Sequence, residues 1–187
     1  MVGSAYRNKG VQLLLDAVCR YLPSPLDREV SAKDNDNGMA ETPLAADSDA
    51  PLVAMAFKLV EESFGQVTYV RIYQGTLAKG TFYFNSRQRK RARISRILRV
   101  HADQKEDIDS AGARDIVAVM GIECATGDTY CAEGTNLSLE SIYAAEPVID
   151  LSITPNKRAD YDKLSKALNR FMREDPTFRV HVDPETS

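Results

Sequence analysis

From residue 52 to residue 139 the chain consists of short runs rich in β-branched, aromatic and other apolar residues, divided by turn-forming residues. The runs are residues 53–60, 67–73, 81–85, 91–101 and 116–122, and the clearest dividers are Phe64-Gly65, residues 75–80 and Thr126-Gly127-Asp128. Short strands with no crossover helix between them predict a sandwich or a small barrel. A closed barrel is the expectation, because closure leaves no strand edge free to pair with another chain. Leu137, Leu139 and Ile142 are expected to finish it, which places the barrel at residues 51–147.

Within this region Val67, Tyr69, Arg71 and Tyr73 alternate with Thr68, Val70 and Ile72, so both strand faces carry bulk. That suits a wall packed inside and partly covered outside. In residues 91–101, Ala92, Ile94, Leu98 and Val100 share one parity and Arg91, Arg93 and Arg99 the other, while Arg96 and Ile97 are out of step. A bulge near Ser95 would turn Arg96 out and Ile97 in, but the same slip would expose Leu98 and bury Arg99, so the pattern leaves this register open. Residues 103–109, mostly acidic, read as a loop near the basic strand.

The flanks follow a different pattern. Val11, Leu14, Leu15, Val18 and Leu22 fall on one face of a predicted helix over residues 10–22, closed by Pro23 and Pro25. A lone helix cannot bury its own stripe, so it must dock on the barrel or on a segment outside this chain. Residues 26–50 shift to Asp, Ser, Ala, Asn and Pro, and read as a flexible linker. The tail, residues 148–187, opens with a predicted strand at 148–153, continues as an amphipathic helix at 158–173 with Tyr161, Leu164, Leu168 and Phe171 on one face, and ends on an alternating strand at 178–182. Strand, helix, strand is half of a two-layer α+β domain.

Charge sharpens this outline. With 24 basic and 27 acidic side chains the chain is not a generally basic nucleic-acid binder. Residues 86–99 nevertheless hold many Arg and Lys and no acid, a local positive field able to hold phosphates; the competing reading is a solvated edge that keeps a strand from aggregating. Tyr and Phe at alternating strand positions read as core rather than as base-stacking platforms. Cys19, Cys124 and Cys131 are odd in number, scattered, and at no zinc spacing, which suits inert reduced thiols. No metal site or Ser/His/Asp or Cys/His constellation can be assembled. No run spans a bilayer and no signal peptide is visible, so no membrane partner and a cytoplasmic location are expected.

Several short stretches, taken together and in order, resemble the translational GTPase elongation factor G. Gly3-Ser4-Ala5, Asn8-Lys9-Gly10-Val11 and Tyr21-Leu22-Pro23-Ser24-Pro25 are similar to the last loop and final helix of its GTPase domain. Ala56-Phe57-Lys58, Arg71-Ile72-Tyr73-Gln74-Gly75, Arg96-Ile97-Leu98, His101-Ala102 and Thr126-Gly127-Asp128-Thr129 are similar to its second domain, a β-barrel. Glu174-Asp175-Pro176-Thr177-Phe178-Arg179-Val180 is similar to part of its third domain, of ferredoxin-like fold. Arg114 stands where the family usually has glycine.

The resemblance implies a mainly β chain: residues 1–25 a GTPase-domain remnant, 26–50 a linker, 51–147 a translation-factor-type barrel and 148–187 a truncated ferredoxin-like domain. It implies a fragment that contacts small-subunit rRNA of the ribosome, from a parent that uses GTP and magnesium. Gly3, Ser4 and Ala5 would be the vestige of the guanine loop, and Arg87, Arg89, Lys90, Arg91 and Arg93 are the candidate rRNA contacts. The phosphate-cradling G-x-x-x-x-G-K-[ST] and the Asn-Lys-x-Asp motif are absent from the sequence, so the fragment itself is expected to need no cofactor and to catalyse nothing. The alternative is a barrel module of another translational GTPase, or a free-standing RNA-binding barrel.

Overall fold

A computed structural model describes residues 2–62, 65–140, 148–155 and 157–182. Phe64 of the expected turn and Ile142 of the expected last strand lie outside these residues. The described chain is mainly β with two α-helices.

After a 3-10 turn, helix α1 covers Val11–Tyr21, one residue shorter at each end than the periodicity predicts. Its stripe is open to solvent, with Leu14 and Leu15 both more than half exposed. Strands β1 (Val30–Asp34) and β2 (Ala40–Leu44) form a hairpin. Strands β3 (Val53–Glu62) and β4 (Gly65–Gln74) are the longest; β5 (Leu77–Ala78), β6 (Phe82–Asn85), β7 (Lys90–Arg93), β8 (Arg96–His101), β9 (Gln104–Ile108), β10 (Ser110–Ala111), β11 (Ile116–Met120), β12 (Thr129–Cys131) and β13 (Leu137–Ser138) follow. Eight of them form one antiparallel sheet in the order β7-β6-β12-β3-β4-β11-β8-β9. Strands β7 and β8 are separated by only Ile94 and Ser95, yet stand far apart in that order, first and seventh of eight.

Ile94 is the pivot. Its N–H donates to Thr81 O at 3.0 Å, its carbonyl accepts from Gly80 N–H at 2.7 Å, and its side chain is buried in the main core. That core takes the inward side chains of the whole sheet, among them Ala54, Ile72, Tyr83, Ile97, Val119 and Tyr130. The register left open by the sequence is settled by a one-residue slip at Ile94-Ser95: Ala92 and Ile94 pack on the core before it and Ile97 after it. Leu98 then faces the other side of the sheet but is not exposed, because it packs with Val67 and Ala118 beneath Tyr69, Val100 and Met120. Arg99 stays exposed as β8 runs on toward its partner β9.

Three expectations are corrected. Residues 26–50, expected as a flexible linker, contain the β1–β2 hairpin, which pairs with β13 and lays Val30, Ala32 and Leu44 over Val53, Met55 and Cys131 on the outer face of β3 and β12. The apolar side chains of each short strand are few, but residues about 100 positions away complete the site: Asn35 Nδ2 donates to Ser138 Oγ at 2.7 Å and Asn136 Nδ2 to Asp36 Oδ1 at 2.7 Å. The acidic stretch 103–109 is not a loop but contains edge strand β9, held to β8 by Arg96–Asp107 at 2.5 Å and Arg99–Glu106 at 3.9 Å. The tail has helix α2 (Tyr161–Glu174) but no strand at 148–153 or 178–182. A strand exists only where a second backbone satisfies its N–H and C=O groups. Among the described residues neither segment has one, and Val148, Ile149 and Leu151 are exposed.

Thr126 ties helix α2 to the β-sheet region through two hydrogen bonds. Thr126 N–H donates to Arg173 O at 3.1 Å and Thr126 Oγ1 to Glu174 O at 2.9 Å, so this loop residue satisfies two of the carbonyls left open at the helix C-terminus. Asp175 closes the end in an Asx turn, accepting from Thr177 N–H at 2.8 Å and Thr177 Oγ1 at 2.6 Å, which lowers its carboxyl below the ordinary aspartate range.

Candidate nucleic-acid interface

The first part of the basic stretch, residues 86–93, forms the turn and the second strand of the β6–β7 hairpin, while Arg96 and Arg99 lie on β8. Asn85 starts the turn by accepting Gln88 N–H on Oδ1 at 3.0 Å, and Arg89 takes the left-handed conformation, φ 53°, that lets β7 return along β6. The turn is anchored from beneath by Asp128, whose side chain is fully buried. Asp128 accepts from Asn85 Nδ2 at 2.8 Å, from Ala125 N–H at 3.1 Å, and from both Nε and Nη2 of Arg87. The hydrogen bonds from Arg87 to this carboxylate raise the guanidinium pKa further above its already high value.

The five predicted basic contacts are therefore not equivalent. Arg87 is committed to Asp128. Arg91 pairs with Glu133 at 2.6 Å, and Arg93 Nε donates to Gly80 O at 3.3 Å. Arg89 and Lys90 are exposed at the tip, and among the described residues neither forms an ion pair. Opposite Arg91 and Arg93 on the paired strand stand Phe84 and Phe82. Phe82 is 49% exposed, whereas Tyr83 turns into the core and donates to Thr76 O at 3.1 Å. The expectation that these aromatics are core holds for Tyr83 but not for Phe82.

The N-terminal loop that carries Gly3, Ser4 and Ala5 lies elsewhere in the fold. Ser4 and Lys9 exchange two backbone hydrogen bonds of 3.0 Å, and Asn8, at φ 54°, turns the chain between them. A side chain on Gly3 would bring its Cβ to 2.8 Å from Lys9 O, so the loop needs glycine there. Among the described residues no group of His, Cys, Asp or Glu is placed to hold a metal, and no helix is long and apolar enough to cross a membrane.

The residues that sequence reasoning missed are Asp128 and Thr126. Both sit in the Thr126-Gly127-Asp128 turn, which the sequence marked by turn chemistry and by family resemblance without pointing to either role; that Asp128 is buried follows from β12 docking between β3 and β6. Burial also raises the thiol pKa values of Cys124 and Cys131, while Cys19 is exposed. A thiol reagent at mildly alkaline pH is expected to modify Cys19 alone in the folded chain and all three cysteines in denaturant, read by mass spectrometry.

Two family models match this chain: elongation factor Tu domain 2 over residues 65–131, and elongation factor G domain III over residues 144–187. Elongation factor G of Rhodopirellula baltica is 55% identical over 186 residues, covering 100% of this chain and 27% of its own length. Elongation factor G 1 of Syntrophus aciditrophicus is 52% identical over 186 residues, with the same coverage. A crystal structure from Thermus thermophilus superposes with a TM-score of 0.67 at 22% identity, over 95% of this chain and 24% of that one, a likeness of fold. The chain thus spans about a quarter of the length of the curated relatives it matches, 27% for each of those two. Along all of that span it is similar to elongation factor G, of which it corresponds to a fragment.

Proposed function

We propose that this chain is the non-catalytic, ribosome-contacting part of an elongation factor G whose whole protein drives GTP-dependent translocation, and that the β6–β7 hairpin touches small-subunit rRNA. The observation that carries the reading is 55% identity to elongation factor G over the whole of this chain, joined to an exposed basic hairpin. Arg89 and Lys90 are the leading phosphate contacts, with Arg91 and Arg93 beside them; Arg87 shapes the turn through Asp128. Contacts of this kind read backbone and shape, not base sequence. GTP and magnesium belong to the parent, where Gly3, Ser4 and Ala5 complete the guanine site.

The sheet serves this role as a closed barrel. The reading is supported by the bent segment Lys90 to His101, which borders β6 at one end of the strand order and β11 at the other, and by Tyr83 and Ile97 meeting in one core. Residues 1–25 then adjoin the GTPase domain, 51–147 hold the barrel to which the 30–44 hairpin adds an outer layer, and 148–187 begin a ferredoxin-like domain whose strands pair in the whole protein. The exposed stripe of α1 packs on the GTPase domain in the same way. Work in the cytoplasm follows from this role.

Titration of the chain against small ribosomal subunits at two salt concentrations tests the proposal, with an Arg89→Ala/Lys90→Ala/Arg91→Ala variant beside it. Wild-type binding is expected to weaken steeply with salt. The variant is expected to bind more weakly and with a shallower slope, by about 0.7 to 0.9 in log K per log salt for each phosphate that is no longer neutralised. Unchanged affinity and slope in the variant would remove the hairpin from the interface.

A further inference from the structure

We propose that the cleft between the β1–β2 hairpin, β4 and the turn before β11 is a second anion site, which seats one phosphoryl group among Arg28, Arg71 and Arg114. The three arginines come from distant parts of the chain and line one cleft whose other walls include Val30, Leu44 and Tyr73; no acidic residue lines it. Among the described residues no carboxylate pairs with any of the three, although acids outnumber bases in the sequence, 27 to 24. Like charges gathered without a counter-charge repel, and an anion placed between them removes that cost.

The side chains are also held for the task. Arg71 is half-buried, with its guanidinium 5.0 Å from the centroid of the Tyr73 ring, which leaves its in-plane N–H groups free for an oxyanion. Arg114 anchors one donor, Nη2, on Ala46 O at 2.7 Å, and keeps the rest of its fork unspent. Its backbone is left-handed, φ 82°, fixed by Arg114 N–H to Ile72 O at 2.8 Å and Ile72 N–H to Asp115 O at 3.0 Å. Such a φ disfavours any residue but glycine, so an arginine there marks a side chain kept at a backbone cost. The cleft is small, about 30 Å³, and partly open, so it takes an oxygen-bearing face of a phosphoryl group while the rest of the ligand stays outside. The site shares no residue with the β6–β7 hairpin, and the inference does not rest on the ribosomal reading.

The test follows the Nε–H signals of the arginines by NMR during titration at constant ionic strength, with pyrophosphate as the probe and a short RNA oligonucleotide in a second arm. Saturable shifts at Arg71 and Arg114 are expected, with affinity at least about tenfold lower in Arg71→Met and in Arg114→Gly, each of which replaces a guanidinium with an uncharged group. Arg114→Gly suits the left-handed turn, so its fold is expected to survive and its weaker binding to be informative. Arg89→Ala/Lys90→Ala is expected to bind pyrophosphate as the wild type does, which separates this site from the hairpin. Pyrophosphate displacing the RNA from these arginines would identify an RNA phosphate as the occupant; pyrophosphate binding alone would identify a small phosphorylated ligand. Shifts that never saturate, or that saturate equally in both guanidinium variants, would overturn the proposal.

Discussion

Asp128→Ala is expected to destabilise the chain by about 3 kcal/mol, near the lower end of the cost of breaking a buried ion pair because one partner is open to water. The carboxylate is fully buried and serves Asn85, Ala125 and Arg87 at once. Its removal leaves the Asn85 amide, itself 2% exposed, without its acceptor. The guanidinium escapes most of the penalty, because the Arg87 side chain is 59% exposed and can be hydrated. Arg87→Met is therefore expected to cost about 1 to 2 kcal/mol less than Asp128→Ala, since the carboxylate keeps its other two donors. Urea midpoints for the two single variants and the double variant check this. Equal, negligible changes would mean that the turn holds itself without the buried acid.

The second large effect concerns the two faces of β8. Ile97 and Leu98 are neighbours in sequence, at 0% and 1% exposure, one in the main core and the other under Tyr69, Val100 and Met120. Ile97→Ala and Leu98→Ala are each expected to cost about 3 kcal/mol, the usual range for truncating a buried aliphatic side chain being about 2 to 5. If β8 had one wet face, as simple alternation with a slip at Ser95 implies, Leu98→Ala would be near neutral. A urea midpoint for Leu98→Ala that matches the wild type would rule out the outer cluster as a second core.

What the sequence made legible depended on how local each determinant was. The stretches that became β3, β4, β6 and β11 carry their own period and turn chemistry, and both helices were bounded by the spacing of their apolar residues and by Pro23 or Pro176. The β1–β2 hairpin was illegible because its stability is borrowed: Val30, Ala32 and Leu44 matter only once Leu137, Leu139 and Cys131 lie against them. Strand β12, three residues long and completely buried, has no period to detect. Strand β9 was hidden by its charges, which read as loop until Arg96 and Arg99 supply partners. The reverse error occurred at 148–153 and 178–182, where alternation and β-branched residues were present but, among the described residues, the partner backbone was not.

The candidate site divided along the same line. Clustering of Arg and Lys over 86–99 is a property of the sequence alone, and the fold places the first part of it in the β6–β7 hairpin. Which of those charges stay unpaired is a property of the fold. Asp128 and Glu133 reach Arg87 and Arg91 only after β12 has docked between β3 and β6. Sequence spacing gives no hint of that pairing, because 41 residues separate Arg87 from Asp128.

In the proposed barrel the position of the hairpin rests on the sheet curling until the bent segment Lys90 to His101 borders both β6 and β11. Nuclear Overhauser contacts about Ile94 and Ser95 in the folded chain test this most directly. Thr81 to Ile94 and Ser95 to Met120 are predicted to appear together and with full intensity, since Ile94 N–H donates to Thr81 O at 3.0 Å and Ser95 Oγ to Met120 O at 2.9 Å. Contacts on only one side of the bend, with the other absent or confined to a minor species, would describe an open sheet and contradict the account.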